Sequence, residues 1–128
     1  MNITKTKIKN NRKKWVKALR AGKYQQGVGF LNKDNKFCCL GVLCEVMKVP
    51  KTIDGYCGEP LIAYGVDREI TTCPMETMEL VGLRNSLSRY STDMLIHLND
   101  VKKLTFNEIA DIIESEPLGL FNDLTLKD

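Results

Sequence analysis

The chain has one histidine, His97, among its 128 residues. A single imidazole excludes metal sites and phosphoesterase sites that need a histidine pair, although a cysteine–histidine pair stays open. No apolar run approaches the roughly 20 residues that cross a membrane, and no apolar stretch follows the lysine-rich start to act as an export signal. The sequence therefore predicts a cytoplasmic protein that does not enter a membrane.

The cysteines do not form a recognisable pattern. There are five of them: Cys38, Cys39, Cys44, Cys57 and Cys73. An odd number with two adjacent members is a poor disulfide framework, and no pair has the Cys-x2-Cys spacing of structural zinc sites. We therefore expect mostly buried, free thiols and neither a metal nor a cofactor. The alternative is a cysteine-dependent hydrolase in which Cys38 or Cys39 acts with His97.

Acidic residues are absent from the first 23 positions, which hold nine of the 19 lysines and arginines. Residues 24–128 hold the other 10 basic residues and all 16 acidic ones, so one end of the chain is cationic. Such an end could bind the phosphates of nucleic acid or of a nucleotide, or an acidic protein surface. The alternative is a solvated tail that only aids solubility.

Hydrophobic periodicity predicts a single α+β domain over residues 11–128, preceded by a flexible basic extension at residues 1–10. Trp15 and Leu19 have helical spacing in a first helix at the start of this domain. Short runs of β-favouring residues around a polar turn predict a hairpin at about 28–40, which forms a small antiparallel sheet. About five short helices are expected to pack with this sheet.

The later elements are marked by glycine, proline and capping residues. A second helix is expected to begin at Gly41, and a third is expected to begin at Pro74 and to end at Gly82. A short helix is expected at residues 92–98. Glycines and prolines interrupt residues 51–73, which predicts a loop-rich segment with one or two short strands.

The last helix has the clearest signal. Thr105 and Glu108 have the spacing of a capping box, in which each side chain satisfies a free backbone amide of the first turn. Ile109 and Ile113 then continue one apolar face, and Pro117 ends the helix.

Several segments resemble a family of small proteins from tailed phages and prophages. The resemblance is carried in order by residues 14–27 (KWVKALRAGKYQQG), 37–45 (FCCLGVLCE), 98–100 (LND) and 106–114 (FNEIADIIE). It implies a phage accessory protein that acts in the infected bacterium, where such proteins often bind and disable defence components, including nucleotide signals. It carries no catalytic residue over. Because the residues form no coherent set of nucleophile, base or metal ligands, we expect a binding protein rather than an enzyme.

The segment between the first helix and the hairpin contains the predicted ligand-binding residues: Arg20, Lys23, Tyr24, Gln25, Gln26, Gly27 and Gly29. A glycine-lined backbone can approach a phosphate, glutamine amides can read a base edge, and a tyrosine ring can stack. The basic face of the first helix would assist. We expect an anionic, nucleotide-like ligand or a host protein, held by a monomer or at the interface of a homo-oligomer.

Two alternatives stay open for this segment. The basic arm could bind nucleic acid, with an affinity that falls steeply as salt rises. The segment could also be a purely structural link between helix and hairpin, because turn chemistry alone accounts for both glycines.

Overall fold

Five helices and two antiparallel two-stranded sheets make up the described part of the chain, which is residues 3–54 and 60–123 of a computed structural model. The helices are α1 (Lys5–Arg20), α2 (Cys39–Val46), α3 (Met75–Val81), α4 (Leu95–Asp100) and α5 (Phe106–Ser115). The strands are β1 (Asn32–Lys33) paired with β2 (Lys36–Phe37), and β3 (Lys51–Ile53) paired with β4 (Ile62–Tyr64). This architecture confirms the predicted small α+β domain. No helix within residues 3–54 and 60–123 combines the length with the apolar composition that a membrane span requires.

Helix α1 begins inside the segment that was predicted to be a flexible extension. The Thr4 hydroxyl caps it by accepting a 3.1 Å hydrogen bond from the Lys7 amide. Ile8 is only 3% exposed and extends the buried stripe of Trp15 towards the N-terminus. Residues 5–10 are therefore helical, which corrects the prediction. The many lysines around Ile8 concealed its place in the apolar periodicity.

Helix α2 lies at the centre of the core, and every residue from Cys39 to Cys44 is buried. It begins at Cys39, two residues before the predicted start at Gly41. The Trp15 indole of α1 donates a 3.0 Å hydrogen bond to the Cys39 carbonyl. Helix α1 packs against α2, α3 and α5, and α4 packs against α2 and α5. Helix α2 is therefore covered by α1 and α4, while α1 joins α2, α3 and α5.

The first hairpin is shorter than predicted and turns at Asp34 and Asn35. These residues have φ values of 52° and 61°, as tight two-residue turns between antiparallel strands require. The predicted range 28–40 contains the hairpin, but residues 28–31 are not a strand. The Leu31 amide instead donates a 2.8 Å hydrogen bond to a carbonyl outside the hairpin. A backbone contact with a distant part of the chain thus replaces the strand that the β-favouring residues predicted at residues 28–31.

The second hairpin, β3 and β4, lies in the segment predicted to be loop-rich with one or two short strands. Polar side chains fasten it to α2. Asn32 donates a 3.1 Å hydrogen bond to the Tyr64 hydroxyl, which itself donates to Glu45 at 2.6 Å. Lys51 pairs with the same carboxylate at 2.9 Å. Burial and the neighbouring carboxylate raise the pKa of Tyr64 far above its ordinary value, so the hydroxyl remains a donor.

The remaining helices follow their local signals. Gly82 ends α3 with a φ of 72°, and the capping box of Thr105 and Glu108 is present with both of its hydrogen bonds. The short helix predicted at residues 92–98 is shifted towards the C-terminus and forms α4. Local capping chemistry therefore predicted the helix ends better than apolar periodicity did.

Gly41 permits a backbone contact at the centre of the fold. A Cβ atom at this position would lie 1.7 Å from the Leu31 carbonyl oxygen. The loop before β1 therefore crosses α2 at a distance that only glycine allows.

Gly41→Ala should lower the free energy of unfolding by about 3 kcal/mol or more, because the added methyl group must displace the Leu31 backbone. Gly22→Ala is the matched control. It places alanine at a φ of +73° with nothing within 4 Å of its Cβ, so only backbone strain of about 1–2 kcal/mol is expected. Urea unfolding followed by Trp15 fluorescence measures both. Equal losses of unfolding free energy in the two variants would show that the loop before β1 can move away from α2, and would contradict this contact.

Candidate functional site

The Gln26 side chain, predicted to read a ligand, is engaged inside the protein. Its amide nitrogen donates to Asn99 Oδ1 at 2.9 Å and to the Leu104 carbonyl at 2.8 Å. Asn99 is fully buried, and its own amide donates to the Gly27 carbonyl at 2.9 Å. These contacts, which we call the Gln26–Asn99 clasp, join the segment before the hairpin to the end of α4.

Tyr24 and Gly27 also have internal contacts. The Tyr24 ring meets the Phe37 ring edge-on, with centroids 5.2 Å apart and planes at 80°. The Gly27 amide donates a 2.7 Å hydrogen bond to the Phe37 carbonyl, and a Cβ on Gly27 would lie 2.7 Å from that of Lys36. The predicted stacking ring and the first predicted glycine therefore pack against β2.

The other predicted ligand-binding residues lie on the surface: Arg20, Lys23, Gln25 and Gly29. Gly29 has a φ of 84°, so its backbone conformation accounts for the glycine. The Arg20 guanidinium pairs with Asp111 at 2.8 Å and Glu114 at 3.2 Å, on α5. The structure thus divides the seven predicted residues between the clasp, the packing against β2 and the surface, instead of placing them around one cavity.

The two cysteines considered as nucleophiles are core residues. Cys38 is 3% exposed and Cys39 is fully buried. Burial raises the pKa of Cys38 to about 12 and that of Cys39 well above its ordinary value. Because the thiolate is the nucleophilic form, neither thiol is activated. Cys44 and Cys73 are also buried, whereas Cys57 lies outside the described residues.

His97 is hydrogen-bonded to a carboxylate and not to a cysteine. Its Nδ1 atom lies 2.8 Å from Asp93 Oδ1. The Cys39 sulfur instead lies 3.9 Å from the Leu95 carbonyl oxygen. Within residues 3–54 and 60–123, no group of three or more histidine, cysteine or acidic side chains is placed to hold a metal ion.

A groove of about 770 Å³ lies between α1 and α5. Its apolar lining comes from Val16, Ala21 and Ile113. Its basic lining comes from five residues of α1: Lys9, Arg12, Lys13, Lys17 and Arg20. Glu114 and Glu116 complete the lining. The groove therefore combines apolar surface with an excess of positive charge.

Arg12 is a fixed part of the groove wall. It is 7% exposed, and its Nε donates to the Val81 carbonyl at 2.7 Å. Its Nη1 pairs with Glu116 at 2.8 Å, and the guanidinium lies 3.9 Å from the centre of the Phe121 ring. Burial lowers the pKa of Arg12 and the Glu116 carboxylate opposes that shift, so the guanidinium stays charged.

The lysines of the groove have no such partners. Lys9, Lys13 and Lys17 are exposed and make no ion pair with any residue of the described chain. The two arginines that line the groove are paired with acidic residues of α5 and of its C-cap, Glu116. The uncompensated positive charge is therefore on three lysines spaced four residues apart, which share one helix face.

The sequence indicated this basic face as an aid to the loop site and as part of an arm that could bind nucleic acid or an acidic protein surface, but not as one wall of a groove. The four-residue spacing of the lysines beside Val16 could have indicated a basic edge next to an apolar stripe. Nothing in the sequence indicated that α5 would form the other wall.

Comparison with known families adds one finding. A family model described as a domain of unknown function (DUF8296) matches residues 4–117. The chain belongs to this family. The match covers all five helices and so includes both walls of the groove. No curated protein and no solved structure matches the chain. The resemblance to phage proteins stays a prediction.

Gln26→Ala should lower the free energy of unfolding by about 1–3 kcal/mol, because it leaves the buried Asn99 oxygen without its donor. Asn99→Ala should cost at least as much. In a double-mutant cycle the two changes should couple by about 1 kcal/mol. Gln25→Ala, at an exposed neighbouring position, is the control and should change stability by less than about 0.5 kcal/mol. Additive losses would contradict the clasp.

The described thiols should be protected from reagents in the folded protein. In a Cys57→Ser background, we expect Ellman's reagent to modify Cys38, Cys39, Cys44 and Cys73 only on the timescale of unfolding, because all four are buried. Denaturant should expose all four at once. A thiol that reacts rapidly in the native protein, mapped to Cys38 or Cys39 by mass spectrometry, would restore the hydrolase alternative.

Proposed function

We propose that the protein binds without catalytic turnover and holds an acidic helical segment of a partner protein in the α1–α5 groove. The observation that carries this proposal is the row of Lys9, Lys13 and Lys17, which lines the groove without ion-pair partners in the described chain. An acidic, amphipathic segment would complement both the lysines and the apolar lining beside them.

The spacing of the lysines suits a helical partner. Residues four apart on an α-helix lie about 6 Å apart along its axis, so the three lysines extend over about 12 Å. Carboxylates four residues apart on a partner helix repeat the same distance. The apolar face of that helix could then contact Val16 and Ile113. An acidic helix therefore matches the groove in the sign of its charge and in the spacing of its charged groups.

The same lining supports a nucleotide less well. The residues that line the groove include no aromatic ring, hydroxyl or neutral amide, so they offer no side chain for base stacking or base-edge recognition. Tyr24 and Gln26, which were predicted to supply these contacts, are engaged with Phe37 and Asn99. Of the two expected partners, the groove thus favours the host protein.

The resemblance to phage proteins supports a partner in the cytoplasm of an infected bacterium, and we propose counter-defence as the setting. A protein that disables a host component by occupying it needs affinity and not a nucleophile. The groove supplies surface for such binding, and the described cysteines are buried away from it.

Nucleic acid is a second candidate partner. Lys7 and Lys14 are also exposed, and they continue the positive charge of α1 beyond the groove. A surface of this kind can follow a phosphate backbone, and its affinity should fall with salt at a log–log slope of about −0.9 for each phosphate neutralised on duplex DNA.

Replacing Lys13 and Lys17 together by glutamate should abolish binding of an acidic helix, because carboxylates would then face carboxylates. The matched control replaces Lys7 and Lys14 by glutamate, which changes the net charge equally at exposed positions outside the groove. The probe is a labelled helical peptide of about 15 residues with glutamate at every fourth position and leucine on the adjoining face. By fluorescence anisotropy we expect at least about a tenfold loss in the groove variant and less than about twofold in the control.

The same pair of variants separates the candidate functions. A host protein captured by the wild type and the control, but not by the groove variant, would be the natural partner, and its acidic segment can be synthesised and titrated. Equal losses of duplex DNA binding in both variants, with a steep salt dependence, would establish the nucleic-acid function instead. Unchanged peptide binding in the groove variant would overturn the proposal.

A further inference from the structure

A second cavity, of about 330 Å³, lies at the start of α4 and shares no lining residue with the α1–α5 groove. It is lined by Arg89, Tyr90, Asp93, Met94 and His97.

The His97 imidazole is held in one tautomer. Asp93 pairs with Lys102 at 2.7 Å and accepts a 2.8 Å hydrogen bond from the Met94 amide, and these contacts lower the pKa of Asp93 to about 2. The ionised carboxylate can only accept hydrogen bonds, so the Nδ1 atom of His97, 2.8 Å away, carries a proton. In the neutral imidazole Nε2 is then an acceptor. It makes no hydrogen bond with any described residue.

Arg89 offers donors on the same cavity. Its side chain is exposed and makes no ion pair within the part of the chain that the structure describes. Its backbone is fixed, because the Arg89 amide donates to Asn85 Oδ1 at 2.9 Å and the residue forms an antiparallel bridge with Met94. The guanidinium on this fixed backbone is unpaired within the described residues, and such a group can bind an oxyanion through two parallel hydrogen bonds.

The charges around the cavity leave a net attraction for an anion. The negative charge of Asp93 is balanced by Lys102, and the Asp93 side chain is only 11% exposed. Burial, with the nearby Asp93 carboxylate, raises the pKa of Tyr90, so its phenol stays neutral. The positive charge of Arg89 is therefore not cancelled within the cavity.

We propose that this cavity binds a small oxyanion that also carries a hydroxyl group: Arg89 donates to a charged oxygen, and His97 Nε2 accepts a hydrogen bond from the hydroxyl. Hydrogen phosphate has both features in one ion. A sugar phosphate carries the charged oxygens on its phosphate group and the hydroxyl on its sugar. Sulfate and methyl phosphate dianion have the charge but not the hydroxyl, so they are matched controls for these two sources.

The single histidine makes the test direct, because every imidazole signal in an NMR spectrum of the whole chain belongs to His97. Long-range ¹H–¹⁵N spectra at mildly alkaline pH should show the Nδ1-protonated tautomer in the free protein. Titration with hydrogen phosphate should shift Nε2 and saturate at millimolar concentration or below, at least about tenfold lower than for sulfate. Saturation by ribose 5-phosphate at much lower concentration than by hydrogen phosphate or methyl phosphate would identify an organic phosphate as the natural ligand class.

Two variants complete the experiment. Arg89→Gln should weaken hydrogen phosphate binding at least about tenfold, whereas Arg84→Gln, at another exposed arginine, should leave it unchanged. Asp93→Asn should mix the His97 tautomers and reduce the preference for hydrogen phosphate over sulfate. Equal binding of sulfate and hydrogen phosphate by the wild type, an unsaturable shift, or equal losses in the two arginine variants would each overturn the proposal.

Discussion

The backbone contact between Gly41 and Leu31 is the constraint on which the rest of the domain depends. Because the loop before β1 lies directly against α2, this helix has no exposed side from Cys39 to Cys44. The neighbouring helices are then positioned by α2 itself. The Cys39 carbonyl accepts the Trp15 indole of α1, and the Cys39 sulfur contacts the Leu95 carbonyl of α4. Helix α1, which forms one wall of the groove, and α4, at whose start the second cavity lies, are thus both anchored on Cys39.

The features that sequence reasoning predicted correctly are those whose cause is local. The capping box at Thr105 and the glycine stop at Gly82 depend on residues within a few positions of each other. The role of Gln26 could not be predicted in this way. Its partners Asn99 and Leu104 lie 73 and 78 residues further along the chain, and only the folded structure brings them together. In the sequence, Gln26 and Gly27 beside Tyr24 resembled a ligand-binding site. An internal clasp uses the same hydrogen-bond donors and acceptors as such a site, so the residue types alone do not distinguish the two.

The position of Arg12 could not be predicted from the pattern of charges in the sequence. In the sequence it is one of nine basic residues in an arm without acids, and charge patterning places it in solvent. In the structure it is nearly buried, and a Cβ on Gly82 would lie 2.9 Å from its Nη2 atom. This Nη2 is buried without a hydrogen-bond partner, while the guanidinium lies over the Phe121 ring. The ring offsets part of the cost of burial, since a desolvated cation is attracted to an aromatic face.

The different chemistry of arginine and lysine explains why the two walls of the groove are linked by ion pairs while some of its positive charge remains unpaired in the described chain. The planar guanidinium groups of Arg12 and Arg20 pair with Glu116 at the C-cap of α5 and with Asp111 and Glu114 on α5, so both arginines link the two walls. Lysine has a flexible stem and a strongly hydrated ammonium group, so Lys13 and Lys17 lose little by staying in water. Internal pairing therefore uses the arginines and leaves the lysines available. Because their side chains can move, the basic side of the groove is adjustable, while the buried Arg12 keeps the wall in place.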